Sequence, residues 1–194
     1  MSTITESVDV EVPVSTAYNQ WTQFETFPRF MEGVENVRQL DDTHLHWVTK
    51  VGGSTREFDA TIVEQKPDTV VAWRSDSGPN HSGFVTFDKV DANTTRVTAK
   101  MTIDPEGFVE NVGDKLGLLD RRVKGDLKRF KEFIEQRGHE TGAWRDEVNT
   151  TTQQSTAPGS SVDQPKPAPP VRPLNQPGAP GSISPGELGR PGLS

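Results

Sequence analysis

The sequence predicts an α+β domain in which a curved antiparallel sheet of about seven strands wraps around one long C-terminal helix, with two short helices after the first strand. Two patterns point to it. Alternating apolar segments recur between turn-forming clusters about every 8–14 residues, the mark of a meandering sheet. One later stretch places Val109, Val112, Leu116, Leu119, Val123, Leu127, Phe130 and Ile134 three or four residues apart. At helical geometry these residues fall within a stripe about 80° wide.

Each element follows in order. Ile4, Val8, Val10 and Val12 alternate through the first strand, which Pro13 ends. Ser15 is placed to cap the next helix, whose Ala17, Trp21 and Phe24 share a face. "TFPRFM" restarts a short helix that tolerates Pro28 in its first turn. "VENVRQL" and "HLHWVTKV" form a hairpin across Asp41-Asp42-Thr43. "STREFDATIVEQK" sets Phe58, Ala60 and Ile62 on one face, and Lys66-Pro67-Asp68 turns the chain into "TVVAWRS". "SGPN" and "DANTT" bound "HSGFVTFDKV", and "RVTAKMTI" aligns Val97, Ala99, Met101 and Ile103. The long helix then runs from Asp104-Pro105 to Gly138, a C-terminal stop. A single helix with a whole sheet to cover is buried most economically by a sheet that curves around it.

Composition bounds the function. Residues 1–139 are assigned to one domain and 140–194 to a disordered tail rich in Pro, Gly and Ser. Ten of the fifteen prolines lie beyond residue 157, and "PKPAPPVRP" favours extended polyproline II, a possible docking segment for a protein partner or a plain spacer. Up to Glu147 there are 18 Lys and Arg against 26 Asp and Glu, a net charge of −8. Such an acidic domain is a poor nucleic-acid binder, because phosphate contacts need clustered cations. Cysteine is absent, which excludes disulfides, thiolate catalysis and Cys-ligated metals. The N-terminus has neither a basic region nor an apolar core of a secretory signal, and no stretch has membrane-spanning length. A cytoplasmic location without a cofactor or an integral membrane segment is the expectation.

The element order resembles the START-like superfamily, also described as polyketide cyclase/dehydrase and lipid-transport proteins or SRPBCC. "WTQFETFPRFMEGVENVRQLDDTHLHW", "REFDATIVEQKPDTVVAWRS", "GFVTFDKVDANTTRVTAKM" and the final helix carry the resemblance over about residues 3–137. Trp21, Phe24-Glu25, Phe27-Pro28 and Phe30-Met31, followed by a strand, are its most specific part. The branch it is most similar to is the bacterial cyclase/dehydrase group related to coenzyme-Q-binding proteins. The resemblance implies a helix-grip, Bet v 1-like fold enclosing a cavity for a lipid, quinone, hormone or polyketide. The same shell serves carriers, enzymes and regulators, so fold leaves function open.

Trp21, Phe30, Trp47, Phe58, Trp73, Phe87, Met101 and Leu116 are the candidate cavity lining, each also serving as ordinary core. Gly113 joins them as a point where ligand or sheet approaches the helix, with Gly117 near the stripe's border and Gly125 facing solvent. No catalytic set emerges. His44 and His46 share a strand face but lack a third metal ligand, His81 reads as a surface group, and His139 lies past the helix end, where a cation favours the helix dipole. Arg56 and Arg74 reach either the cavity or cross-strand acids. Arg121, Arg122, Lys124, Lys128 and Arg129 read as a solvated helix face. Trp144 is either an exposed anchor for a partner or packed back on the domain. The expectation is therefore a binder of a hydrophobic small molecule. An aromatase/cyclase enzyme, a regulatory or chaperone-like module using the tail, and an RNA-contacting protein are alternatives.

Overall fold

The computed structural model describes residues 1–108 and 113–149. β1 (Ser2–Val10) forms one edge of the sheet. α1 (Val14–Trp21) and a 3-10 helix (Phe24–Arg29) carry the chain to the opposite edge, where β2 (Val34–Gln39) begins. β3 (His44–Val51), β4 (Ser54–Lys66), β5 (Val70–Ser75), β6 (His81–Lys89) and β7 (Thr95–Ile103) then meander back. The spatial order is β1-β7-β6-β5-β4-β3-β2, and every pairing is antiparallel. α2 (Pro105–Phe108) is a single turn, and α3 (Lys115–Arg137) packs Leu119, Leu127, Phe130 and Ile134 into the core.

Local chemistry sets the register and the bend. β3 and β4 close through Gly52-Gly53, whose φ angles of 59° and 84° are those of a primed turn that glycine adopts freely. β4 carries an extra residue, Val63, against β5, and β2 carries Glu35 against β3. Such bulges bend a strand and raise its twist, which suits a sheet that must wrap a helix.

Two helix starts differ from the sequence expectation. α1 is preceded by Pro13 with no side-chain cap, so Ser15 does not cap it. α3 starts at Lys115, because the Asp114 carboxylate accepts the Gly117 N–H at 3.0 Å and caps the helix there. Gly113 therefore lies before the helix, and Val109 and Val112 of the expected stripe lie outside the described residues. The cap also accounts for Gly117: a Cβ there would collide with the Asp114 carboxylate that folds over it. The far end is as expected, with Gly138 left-handed at φ 67° and its N–H on Ile134 O at 2.9 Å.

The ordered chain continues past residue 139, where the sequence reading ended the domain. Residues 140–149 form a strap over α1. Thr141 donates its N–H to Gln20 Oε1 (2.9 Å) and accepts from Gln20 Nε2 (3.1 Å), satisfying an amide whose residue is fully buried. Trp144, half-buried, donates its N–H to Thr22 Oγ1. Arg145 joins Asn19 to Asp68 and lies over the Tyr18 ring at 5.7 Å. Val148–Asn149 form β8 on the part of β4 that β3 leaves unpaired. The remainder of the expected tail, residues 150–194, lies outside the described residues.

Ending the chain at residue 139 strands the buried Gln20 carbonyl without its donor. Relative to a chain ending at residue 149, it is expected to lose about 2 kcal/mol in a denaturant titration. In α3, Gly125 would bring a Cβ within 3.2 Å only of the Arg129 guanidinium tip. Gly125→Ala is thus expected to raise stability by about 0.5 kcal/mol, part of the helical glycine cost being spent on moving that tip.

Candidate functional site

The two-residue alternation of the strands delivers one face of each to a space beneath α3. From β3 come Leu45, Trp47, Thr49 and Val51, and from β4 come Phe58, Ala60 and Ile62. α3 closes the space with Leu119, Val123 and Leu127. The result is a cavity of about 170 Å³ whose walls are almost wholly apolar. Two packed clusters support it: Trp21, Phe27, Phe30 and Phe130 belong to one, and Phe58, Phe108, Ile103 and Leu119 to the other.

The structure divides the nine predicted residues. Trp21, Trp47, Phe58, Trp73 and Met101 line the cavity. Phe30 and Phe87 do not, because they fill the solid end of the core. Phe30 packs on Phe27 at 5.4 Å and Phe130 at 5.2 Å, while Phe87 packs on Tyr18 at 5.5 Å and Trp21 at 6.2 Å. Leu116 is 39% exposed in the first helical turn, turned away from the wall, and Gly113 precedes the helix and is not part of the lining.

Sequence reading placed His81 at the surface, yet it is 4% exposed and part of the wall. The missed signal is parity. His81 starts β6 in phase with Val85 and Phe87, both buried. Its Nδ1 lies 2.9 Å from Pro79 O, and its ring meets Phe58 edge-on at 4.7 Å and Phe108 at 5.2 Å. Burial pushes the imidazole pKa below the ordinary histidine value, against the pull of the Pro79 carbonyl.

Apart from Thr49 and His81, the polar lining gathers at one seam. Met31, Glu32, Gly33 and Val34 face Arg122 and Asp126 of α3 across it, and Glu32 alone among the described lining residues is exposed. Arg122 donates to Glu32 O (2.5 Å) and Arg129 Nε to Phe30 O (2.9 Å). Asp126 accepts the Glu32 N–H at 2.9 Å and pairs with Arg129. Burial pushes the Asp126 carboxyl above the ordinary aspartate value, and the Glu32 N–H and Arg129 partly oppose it. Two of the cations read as a solvated face are thus committed to loop carbonyls.

The other candidates lie elsewhere. Arg56, half-buried, donates its Nε to Gly107 O (3.1 Å) and is not in the wall, and Arg74 is exposed beside Asp76 at 3.5 Å. His44 bonds Asp41 at 2.9 Å and His46 bonds Asp59 at 2.8 Å. Among the described residues no three His, Cys, Asp or Glu side chains converge on a metal position, and no helix is long and apolar enough to cross a membrane.

Comparison with known proteins fits this architecture. An uncharacterized 17.2 kDa protein encoded in the melC2-rnhH intergenic region of Streptomyces lincolnensis is 56% identical over 149 residues, covering 76% of this chain and 99% of that protein. Among solved structures, the Zhui aromatase/cyclase from Streptomyces sp. R1128 superposes with a TM-score of 0.58 at 16% identity, covering 74% of this chain and 99% of that one. A START superfamily protein from Mycobacterium smegmatis superposes with a TM-score of 0.56 at 10% identity, covering 70% and 95%. At these identities the structural likenesses establish the helix-grip fold. The family described as polyketide cyclase/dehydrase and lipid transport matches residues 10–132, and with the cavity and fold in place, the chain belongs to that family.

Proposed function

We propose that the protein binds a compact hydrophobic small molecule in the cavity beneath α3. One observation carries the reading: well-packed interiors keep few voids larger than a water molecule, yet this core keeps about 170 Å³ open within apolar walls. An apolar cavity of about 150 Å³ is enough to take benzene, while drug-sized ligands occupy about 300–1,000 Å³. The volume therefore favours a ligand of one or two rings, polyketide- or quinone-like, over an extended lipid chain.

The family's description and the Zhui aromatase/cyclase likeness keep an enzymatic role as the alternative. Arg56 and Arg74, the cations considered for it, are both absent from the wall. That favours binding over catalysis by those two residues.

Native mass spectrometry of the purified full chain, followed by organic extraction, is expected to return an apolar molecule bound at one copy per chain. An unliganded mass in every preparation, with no heat of binding for small aromatic probes, overturns the reading. Ala99→Leu, which adds side-chain volume to the wall, is expected to weaken ligand binding at least about tenfold while the thermal midpoint holds or rises.

A further inference from the structure

His81 gives the cavity a chemical preference. The Pro79 carbonyl can only accept a hydrogen bond, so His81 Nδ1, at 2.9 Å from it, carries the proton. The neutral ring then presents the Nε2 lone pair. Among the described residues nothing donates to Nε2, although the side chain is 4% exposed and lies in the wall. Its ring is held edge-on by Phe58 and Phe108. Burial favours the neutral form, consistent with the lowered pKa.

The surrounding polar groups leave this acceptor unserved. The Thr49 hydroxyl donates to Arg56 O (3.3 Å). Trp47 stacks on the same Phe58 at 5.9 Å, and its buried Nε1–H has no partner. Arg122 and Asp126 are engaged with Glu32 at the seam. A ligand that fills the cavity without a donor leaves this acceptor buried and unserved, at a cost of about 1–3 kcal/mol. Ketones, quinones, ethers and carboxylates present lone pairs to a lone pair. An ammonium group would donate, but the two carboxylates in the wall, Glu32 and Asp126, are already paired with Arg129. A ring hydroxyl is neutral, a strong donor, and flat enough for aromatic walls.

We propose that His81 Nε2 accepts a hydrogen bond from a ring hydroxyl of the ligand, making the cavity prefer a compact phenol or enol over the hydrocarbon of the same skeleton. This rests on the cavity-binding reading above and narrows its ligand class.

The test is calorimetric titration of the full chain with 2-naphthol and 2-methylnaphthalene, which differ by hydroxyl against methyl at nearly constant size. His81→Asn keeps a donor for the Pro79 carbonyl and lacks the Nε2 acceptor. His81→Phe keeps the ring packing and lacks both nitrogens. Both variants are expected to lose about tenfold of the preference for 2-naphthol over 2-methylnaphthalene, with 2-methylnaphthalene affinity nearly unchanged. If one variant fails to fold, the other carries the comparison. An unchanged preference in a folded variant, or equal loss of both probes, overturns the role of His81 and leaves the cavity reading standing. Failure of both probes to bind the wild-type chain overturns both.

Discussion

Everything in this fold depends on how α3 is fastened. The helix is tied to both edges of the sheet by side chains that reach backbone atoms. Toward β1, Glu135 accepts the Glu11 N–H at 2.7 Å and Lys131 donates to Asp9 O at 2.8 Å. Toward β2, Arg122 and Arg129 donate to the carbonyls of Glu32 and Phe30, and Asp126 accepts the Glu32 N–H. A helix held at its two flanks does not have to sink into the middle of the sheet. That separation of roles lets a well-packed aromatic end, around Trp21, Phe30 and Phe130, coexist with an unfilled space a few residues away.

An unfilled space is not free. At about 24 cal/mol per Å³, a void of about 170 Å³ is worth on the order of 4 kcal/mol, a large share of a small domain's net stability. The chain offsets this elsewhere. The dense aromatic cluster, the continuous seven-strand ladder and the strap over α1 supply the offset. A sequence under pressure for stability alone has an easy remedy in a larger residue at Ala60 or Ala99, both in the wall.

The sheet was legible because strand alternation is local. The runs containing Phe58, Ala60 and Ile62, or Val97 and Ala99, need only neighbours in sequence to declare their inward face. The cavity was legible by halves, because inward-facing and cavity-facing are the same property until the third dimension separates them. Trp47 and Phe87 look alike as bulky residues on buried strand faces, yet one meets open space and the other meets Tyr18. Three features were hidden for other reasons. His81 was misread because a polar residue after a turn resembles a loop end, although its phase with Val85 was visible. The Asp114 cap was obscured by apolar residues continuing the helical spacing upstream. The commitment of Arg122 and Arg129 depends on a loop about 90 to 99 residues away in sequence, which helical spacing does not encode.

The placement of the tryptophans has an optical consequence. The chain has four, and Trp21, Trp47 and Trp73 all line the cavity, while Trp144 sits in the strap. Indole emission depends on local polarity and on quenching by groups in contact. The near-ultraviolet fluorescence of this protein is therefore dominated by chromophores that share one enclosed volume. Whatever enters that volume touches most of the emitting rings at once, so the fold carries its own unlabelled reporter of occupancy.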